Sequence, residues 1–160
     1  DLKYITLKLC EKALIQAGRS GDHISNLENK LNNGDALKKF EQMIDEHGGD
    51  LSLLYNPQTY SPNNKQIIVA DESGYIHNMN TFKIGISIIE MGGGRLTKAD
   101  SLDNSAGIVF SKKTGDPVEN GEVICEAFCA DESRLKKAVQ TIKSSITINE
   151  EKAPERQLIL

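Results

Sequence analysis

A concentrated positive field is what this 160-residue sequence most plainly lacks. Its 19 Lys and Arg are outnumbered by 23 Asp and Glu, for a formal net charge of −4 and an isoelectric point near 5.4. The lysines are scattered among acids, which argues against a nucleic-acid partner, since phosphate backbones are bound by clustered cations. Long apolar runs are also missing. Nothing approaches the roughly 18 consecutive apolar residues of a membrane span, so no membrane partner is expected. The opening Asp1-Leu2-Lys3-Tyr4 has no basic region followed by an apolar run, so no signal peptide is expected at this end. It has no initiator Met either, which fits a processed product or a fragment. Cysteines number three, an odd count with no framework spacing, which suits a reducing cytoplasm better than a disulfide scaffold.

What remains is ordinary for a globular protein: 38% apolar and 26% charged residues, enough for one domain with a core or a small domain with a helical appendage. Apolar residues recur at helical spacing from Leu2 to Ala17, through Leu2, Ile5, Leu9, Ala13 and Ala17, with Leu7, Leu14 and Ile15 widening the stripe. Gly18 stands where a C-terminal cap is expected. A second helix is predicted over 23–31 with Asp22 as its N-cap, and a third over 36–46 capped by Asp35. Leu37, Phe40, Met43 and Ile44 would form the buried stripe of that third helix, and Gly48-Gly49 would end it. Residues 50–64, which include Pro57 and Pro62, read as a short helix followed by a linker.

Beyond the linker the pattern changes. Residues 66–70 are strand-like, 71–73 turn, and Gly74-Tyr75-Ile76 begins another extended piece. Thr81 to Met91 returns to helical spacing with two apolar flanks, which predicts a helix buried between layers. A short strand ends at Gly107-Ile108-Val109-Phe110. Gly115-Asp116 and Asn120-Gly121 are turn signals around Pro117-Val118. A strand over 122–127, an amphipathic helix over 133–144 and a last strand over 146–148 complete the chain. Helices first and a strand-rich unit afterwards define an α+β class.

Three stretches carry a family resemblance. Asn33-Gly34-Asp35-Ala36-Leu37, with Phe40 and Met43, leads into Gly48-Gly49-Asp50. Ile89-Glu90-Met91-Gly92-Gly93-Gly94-Arg95 is followed by Asp100 and Asp103. Gly107-Ile108-Val109-Phe110-Ser111-Lys112-Lys113-Thr114-Gly115-Asp116 is followed by Val118 and Gly121-Glu122. In order and spacing these resemble segments of the pyrimidine-nucleoside and thymidine phosphorylases, with weaker similarity reaching both ends, including Lys152-Ala153-Pro154. The resemblance implies that 1–62 is a helical segment of the family's α/β domain plus linker. It implies that 63–160 is the C-terminal domain, a mixed sheet-and-helix unit related to biotinyl and lipoyl carrier folds.

The family's reaction is phosphorolysis, in which phosphate displaces a pyrimidine base from the anomeric carbon to leave (deoxy)ribose 1-phosphate. That chemistry asks for a cradle for a dianion, donors for the departing base and alignment of both reactants. The resemblance implies that a K-H-S-T-like phosphate segment, a glycine- and serine-rich loop and a base-holding arginine and lysine do this work, all before the region corresponding to Asp1. No K-H-S run occurs here. The expectation is therefore a chain with no catalytic, substrate-binding or metal residue of its own and no cofactor. Its partner would be the remainder of a phosphorylase chain, itself a cytoplasmic homodimer acting on phosphate and a pyrimidine nucleoside. A stand-alone, non-catalytic interaction module of the same fold is the competing expectation.

Several residues invite sharper readings. Gly92-Gly93-Gly94-Arg95 looks like a phosphate loop, yet it follows a helix C-terminus, where carbonyls point outward and the dipole end is negative. Arg95 is expected to answer those carbonyls or an acid, Asp100 or Asp103. Cys125 and Cys129 lie four residues apart, about 13 Å on a strand, too far for one disulfide or one zinc, so inert buried thiols are expected. His23, His47 and His77 stand in separate segments with no acid or thiol at ligand spacing. His47 falls in the last turn of its helix, where a cation suits the dipole. Asp71 with Glu72, and Asp100 with Asp103, are candidate acid–base pairs, though turn and cap duties explain them as well. Gly115 to Gly121 resembles a biotinyl-domain turn. Lys83 falls inside a helical period, and no modifiable lysine stands in a carrier setting, so carrier function is not expected.

Overall fold

The computed structural model describes residues 1–56, 62–95, 97–154 and 158–159. The chain divides into two compact units, Asp1–Tyr60 with Arg156–Leu160, and Ser61–Glu155. The expected linker around Pro57 lies outside the described residues.

The first unit is helical: α1 (Leu2–Gln16), α2 (His23–Asn32), α3 (Asp35–Glu46) and a single turn, α4 (Ser52–Tyr55). Asp22 caps α2 as expected, its carboxylate accepting the Ser25 N–H at 3.1 Å. The cap of α3 differs from expectation. Gly34 holds the N-cap position at φ +85°, and Asp35 is the first helical residue. The Asn33 side chain explains the shift, because its Oδ1 accepts the Asp35 N–H at 2.9 Å and closes an Asx turn one residue early.

Burial in this unit corrects the sequence reading as well. The expected buried stripe of α3 is open: Leu37, Phe40 and Met43 are all exposed. On α1 only Leu7 is buried, while Leu2 and Leu9 are 75% and 64% exposed. The spacing forms the helices correctly, but three short helices bury one narrow seam, and a stripe of this width needs a second layer to cover it.

The second unit holds two small antiparallel sheets. Sheet A has strand order β1 (Asn64–Val69), β5 (Val123–Cys129), β3 (Gly107–Phe110). Sheet B runs β4 (Pro117–Val118), β2 (Gly74–Met79), β6 (Ile146–Asn149). The turn at 71–73 thus joins strands of different sheets rather than closing a hairpin. Together with the helices these make the α+β class expected.

Helix α6 (Glu132–Lys143) supplies the main core contact. Asp131 caps it, accepting from Ser133 N and Arg134 N. Leu135, Ala138, Val139 and Ile142 recur at helical spacing and are all buried against Ile68, Met91, Cys125, Ala127 and Cys129. Each larger side chain so removed from water is worth about 2 kcal/mol. The small residues of β5 let the helix approach the sheet closely. A second cluster, Ala70, Ile76, Val118 and Ile124, fills sheet B with help from Met79, Ile146 and Ile148.

Helix α5 (Thr81–Glu90) is not buried between layers. Phe82 is 77% exposed, Ile84, Ile86, Ile88 and Ile89 are half-buried, and only Ser87 within the helix is fully buried. One face meets α6, where Thr141 Oγ1 donates to Glu90 Oε2 at 2.7 Å and Lys137 pairs with the same carboxylate at 3.4 Å. Two apolar flanks therefore mark a helix with one partner in this unit and one side open.

Candidate functional site

The second motif ends α5 as a helix stop. Gly93 N donates to Ile88 O and Gly92 N to Ile89 O, both at 2.9 Å, the paired bonds of a Schellman motif. This requires a left-handed residue after the cap, and Gly92 has φ +94°. The orphan carbonyls are thus answered by backbone N–H groups. Arg95 is exposed and does not carry that duty.

The guanidinium that reaches this corner is Arg134. A Cβ placed on Gly92 would stand 2.9 Å from Arg134 Nη1 and 3.3 Å from Asp103 Cβ. Asp103 is the hub. Its Oδ1 accepts the Ser105 N–H at 2.8 Å and the Ser105 hydroxyl at 2.5 Å, its Oδ2 accepts the Ala130 N–H at 2.7 Å, and its own N–H donates to Gly92 O at 2.8 Å. Burial pushes the Asp103 carboxyl up, but the Ala130 and Ser105 hydrogen bonds and the Arg134 charge outweigh it and hold the group below the usual carboxylate range. With both oxygens engaged, Asp103 acts as a clamp on the loops after α5 and β5.

Asp100 belongs to a separate turn, in which its carboxylate takes the Thr97 N–H at 2.9 Å and the Thr97 hydroxyl at 2.8 Å. Of the suspected Asp100–Asp103 pair, Asp100 thus closes a local turn while Asp103 reaches across to Ala130. Asp71 and Glu72 are exposed in the bend between β1 and β2.

The third motif builds a stapled turn. Lys112 Nζ donates to Pro117 O at 3.0 Å and pairs with Glu122 Oε1 at 2.6 Å, while Asp116 Oδ2 accepts the Lys113 N–H at 2.7 Å. The Lys112 hydrogen bond, with a further one from Glu119 N–H, holds the Glu122 carboxyl below its ordinary range.

Cys125 and Cys129 sit on β5 as expected, both fully buried. Burial pushes the Cys125 thiol up to about 11. It raises Cys129 too, against the lowering effect of a backbone hydrogen bond at Asp131; the thiol itself donates to Asp131 O at 3.1 Å. The histidines are dispersed. His23 Nε2 lies 3.2 Å from Arg19 O, His47 Nδ1 2.7 Å from Met43 O at the end of α3, and His77 Nδ1 3.5 Å from Glu151 O. Lys83 lies in the first turn of α5, its N–H capped by Asn80 Oδ1 at 3.1 Å. Among the described residues no group of three or more His, Cys, Asp or Glu is placed to hold a metal ion, and no helix is long and apolar enough to cross a membrane.

Sequence reasoning missed Arg134 and the Glu90–Thr141 bridge. Neither has a local signal, because each acts across a helix–loop or helix–helix contact. A groove of about 310 Å³ between α1 and α2, lined by Tyr4, Leu7 and Ile24 and flanked by the Lys3–Glu28 pair, was likewise invisible in the spacing.

Comparison with known proteins gives these motifs their context. Residues 75–149 match the family model of the pyrimidine nucleoside phosphorylase C-terminal domain. The pyrimidine-nucleoside phosphorylases of Staphylococcus aureus strains USA300 and NCTC 8325 / PS 47 are each 33% identical to it over 152 residues, 92% of this chain. The chain spans about a third of the length of these relatives, 35% in each case. With its motifs in register and its α+β unit in place, the chain belongs to the pyrimidine-nucleoside phosphorylase family and represents the C-terminal portion of that family's fold.

Proposed function

We propose that this chain is the supporting C-terminal part of a pyrimidine-nucleoside phosphorylase, with the phosphorolytic groups on the portion of the enzyme that it does not span. The reading rests on one observation above others: a match over 92% of the chain that reaches only 35% of the relative. The site geometry supports it. Gly92, Asp103, Lys112 and Glu122 spend their polar atoms on loops and turns, which is what a rigid platform needs and what a general acid, base or phosphate cradle does not do. The exposed faces of α1 and α3 fit helices that complete a larger α/β domain. On this reading 1–62 belongs to that domain and 63–160 forms the C-terminal domain, akin to biotinyl and lipoyl folds. The remaining phosphorylase chain is its partner, in a cytoplasmic homodimer taking phosphate and thymidine- or uridine-type nucleosides.

The purified chain incubated with uridine or thymidine and inorganic phosphate is expected to release no base. Sustained release of uracil or thymine dependent on phosphate would place the catalytic groups here and overturn the proposal.

A second reading, a stand-alone non-catalytic module, is favoured by the closed cores of Ser61–Glu155 alone. The two readings part on the helical unit. A module would keep α1 covered and stay monomeric, whereas an unpartnered α1 would drive association.

A further inference from the structure

The sequence contains two Asn-Gly pairs, Asn33-Gly34 between α2 and α3 and Asn120-Gly121 in the turn before β5. Such pairs share a latent reaction. The backbone nitrogen of the glycine attacks the asparagine side-chain carbon, forming an N–Cγ bond while the Cγ–Nδ2 bond breaks. Ammonia leaves with the proton of the attacking amide. Water then opens the cyclic imide at either carbonyl, leaving aspartate or isoaspartate. Both asparagines are exposed, so access to water does not separate them. The state of the attacking nitrogen does.

We infer that Asn33 is a site of spontaneous deamidation in the folded protein and that the fold shields Asn120 from the same reaction. At the second pair the nucleophile is committed. Gly121 N–H donates to the carbonyl of buried Ala70 at 2.8 Å, Ala70 N–H returns a bond to Glu122 O at 2.9 Å, and Asn120 N–H donates to Ser73 Oγ at 2.9 Å. Attack requires breaking a buried backbone bond and turning a peptide pinned on both sides.

At the first pair the opposite holds. Gly34 N–H has no acceptor among the described residues. A Cβ on Gly34, as on Gly121, would meet nothing within 4 Å, so crowding does not separate the pairs and the uncommitted N–H leaves the Asn33 ψ of −1° free to turn toward attack. Asp35 N–H donates to Asn33 Oδ1 at 2.9 Å, which polarises the carbon under attack in the sense of an oxyanion donor. The departing nitrogen already lies 3.2 Å from Asp35 Oδ2.

The product carries a new charge at a sensitive place. A carboxylate at position 33 faces Asp35, and Lys30 Nζ, 2.6 Å from Asp35 Oδ2, becomes the cation both must share. Isoaspartate also lengthens the backbone by one carbon at the junction of α2 and α3.

The test is to age the folded chain at mildly alkaline pH beside a sample held unfolded in urea, then digest both with trypsin. Cleavage after Lys30 and Lys38 isolates residues 31–38, and cleavage after Lys113 and Arg134 isolates 114–134. Fragment spectra locate the amide-to-acid mass change and separate Asn32 from Asn33, and isoaspartyl methyltransferase labelling reports the isomer. In the folded sample conversion at Asn33 is expected to exceed that at Asn120 by about tenfold, the factor one retained hydrogen bond is worth; in urea the two should convert alike. Equal conversion in the folded chain, faster conversion at Asn120, or an inert Asn33 in the fold while urea converts it would each overturn the inference.

Discussion

The Asp103 carboxylate holds the backbone N–H of Ala130 at 2.7 Å, tying the loop after α5 to the start of the loop that enters α6. Asp103→Ala is expected to destabilise the second unit by about 2 kcal/mol, the cost of leaving charge-accepting donors unpaired. The measurement is the urea midpoint at constant m-value, and a change within experimental scatter would remove Asp103 from its clamping role.

The same carboxyl sets a pH dependence. Asp103, Asp131 and Glu122 are all held below their ordinary range in the fold, Asp103 through hydrogen bonds that outweigh its burial, Asp131 chiefly through the Ser133 hydroxyl, and Glu122 chiefly through Lys112. Groups with a depressed folded pKa bind fewer protons folded than unfolded, so their stabilisation is complete above the unfolded pKa and is lost as pH falls through the folded one. Stability should therefore fall progressively below about pH 4, the unfolded carboxyl range. In Asp103→Asn that decline should be shallower. An identical acid limb in the variant would show that Asp103 titrates the same way in both states.

Gly92 offers a sharper probe of the glycine run. Its φ is +94°, and an added Cβ would stand 2.9 Å from Arg134 Nη1 and 3.3 Å from Asp103 Cβ, so the arginine must shift to admit one. Gly92→Ala should cost about 1 kcal/mol for the left-handed backbone alone, with crowding added. Gly121→Ala is a useful comparison, since it has φ +82° but nothing within 4 Å of its missing Cβ. Thermal unfolding of both separates backbone strain from crowding, and equal losses would mean that Arg134 yields freely.

Thiol chemistry should divide the three cysteines. Cys10 is exposed, whereas Cys125 and Cys129 are buried with raised thiol pKa values. An aromatic disulfide reagent at neutral pH is expected to titrate a single thiol in the native protein and three in urea. Rapid native reaction of three would show that β5 opens readily.

Helix faces left open in the first unit make an association prediction. Leu9 on α1 and Phe40 on α3 are 64% and 43% exposed. Sedimentation velocity should show concentration-dependent association that Leu9→Lys with Phe40→Lys diminishes while helix content is kept. A monomer at every concentration would instead favour the self-sufficient module.

Much of this was legible from residue spacing. The stripe Leu135, Ala138, Val139, Ile142 announces α6 and the face it buries, and Gly115 and Gly121 mark turns that the backbone then makes at φ +93° and +82°. The glycine run after α5 was legible as a stop because helix polarity is a local property. Spacing could not say which apolar stripes find a partner. The face through Leu37 and Phe40 has the same periodicity as that of α6, yet one is open and the other closed, since closure depends on an element far away in sequence. Arg134 escaped for the same reason, its place beside Gly92 being decided by the docking of α6 against α5. Asp35 was misassigned because Asn33 competes for its N–H two residues earlier.

The separation of β1 and β2 into different sheets has a consequence for how the chain comes to be folded. Neighbours in sequence, they cannot pair with each other; β1 waits for Val123–Cys129 and β2 for Ile146–Asn149. Both sheets are thus closed by distant partners, the arrangement that slows folding because a long loop must be ordered before any pairing repays it. On the ribosome the helices α1 to α3 can form as they emerge, whereas β1 stays open until β5 is synthesised and one edge of β2 until β6 is. That interval, rather than the finished fold, is when this sequence is most exposed to misassembly.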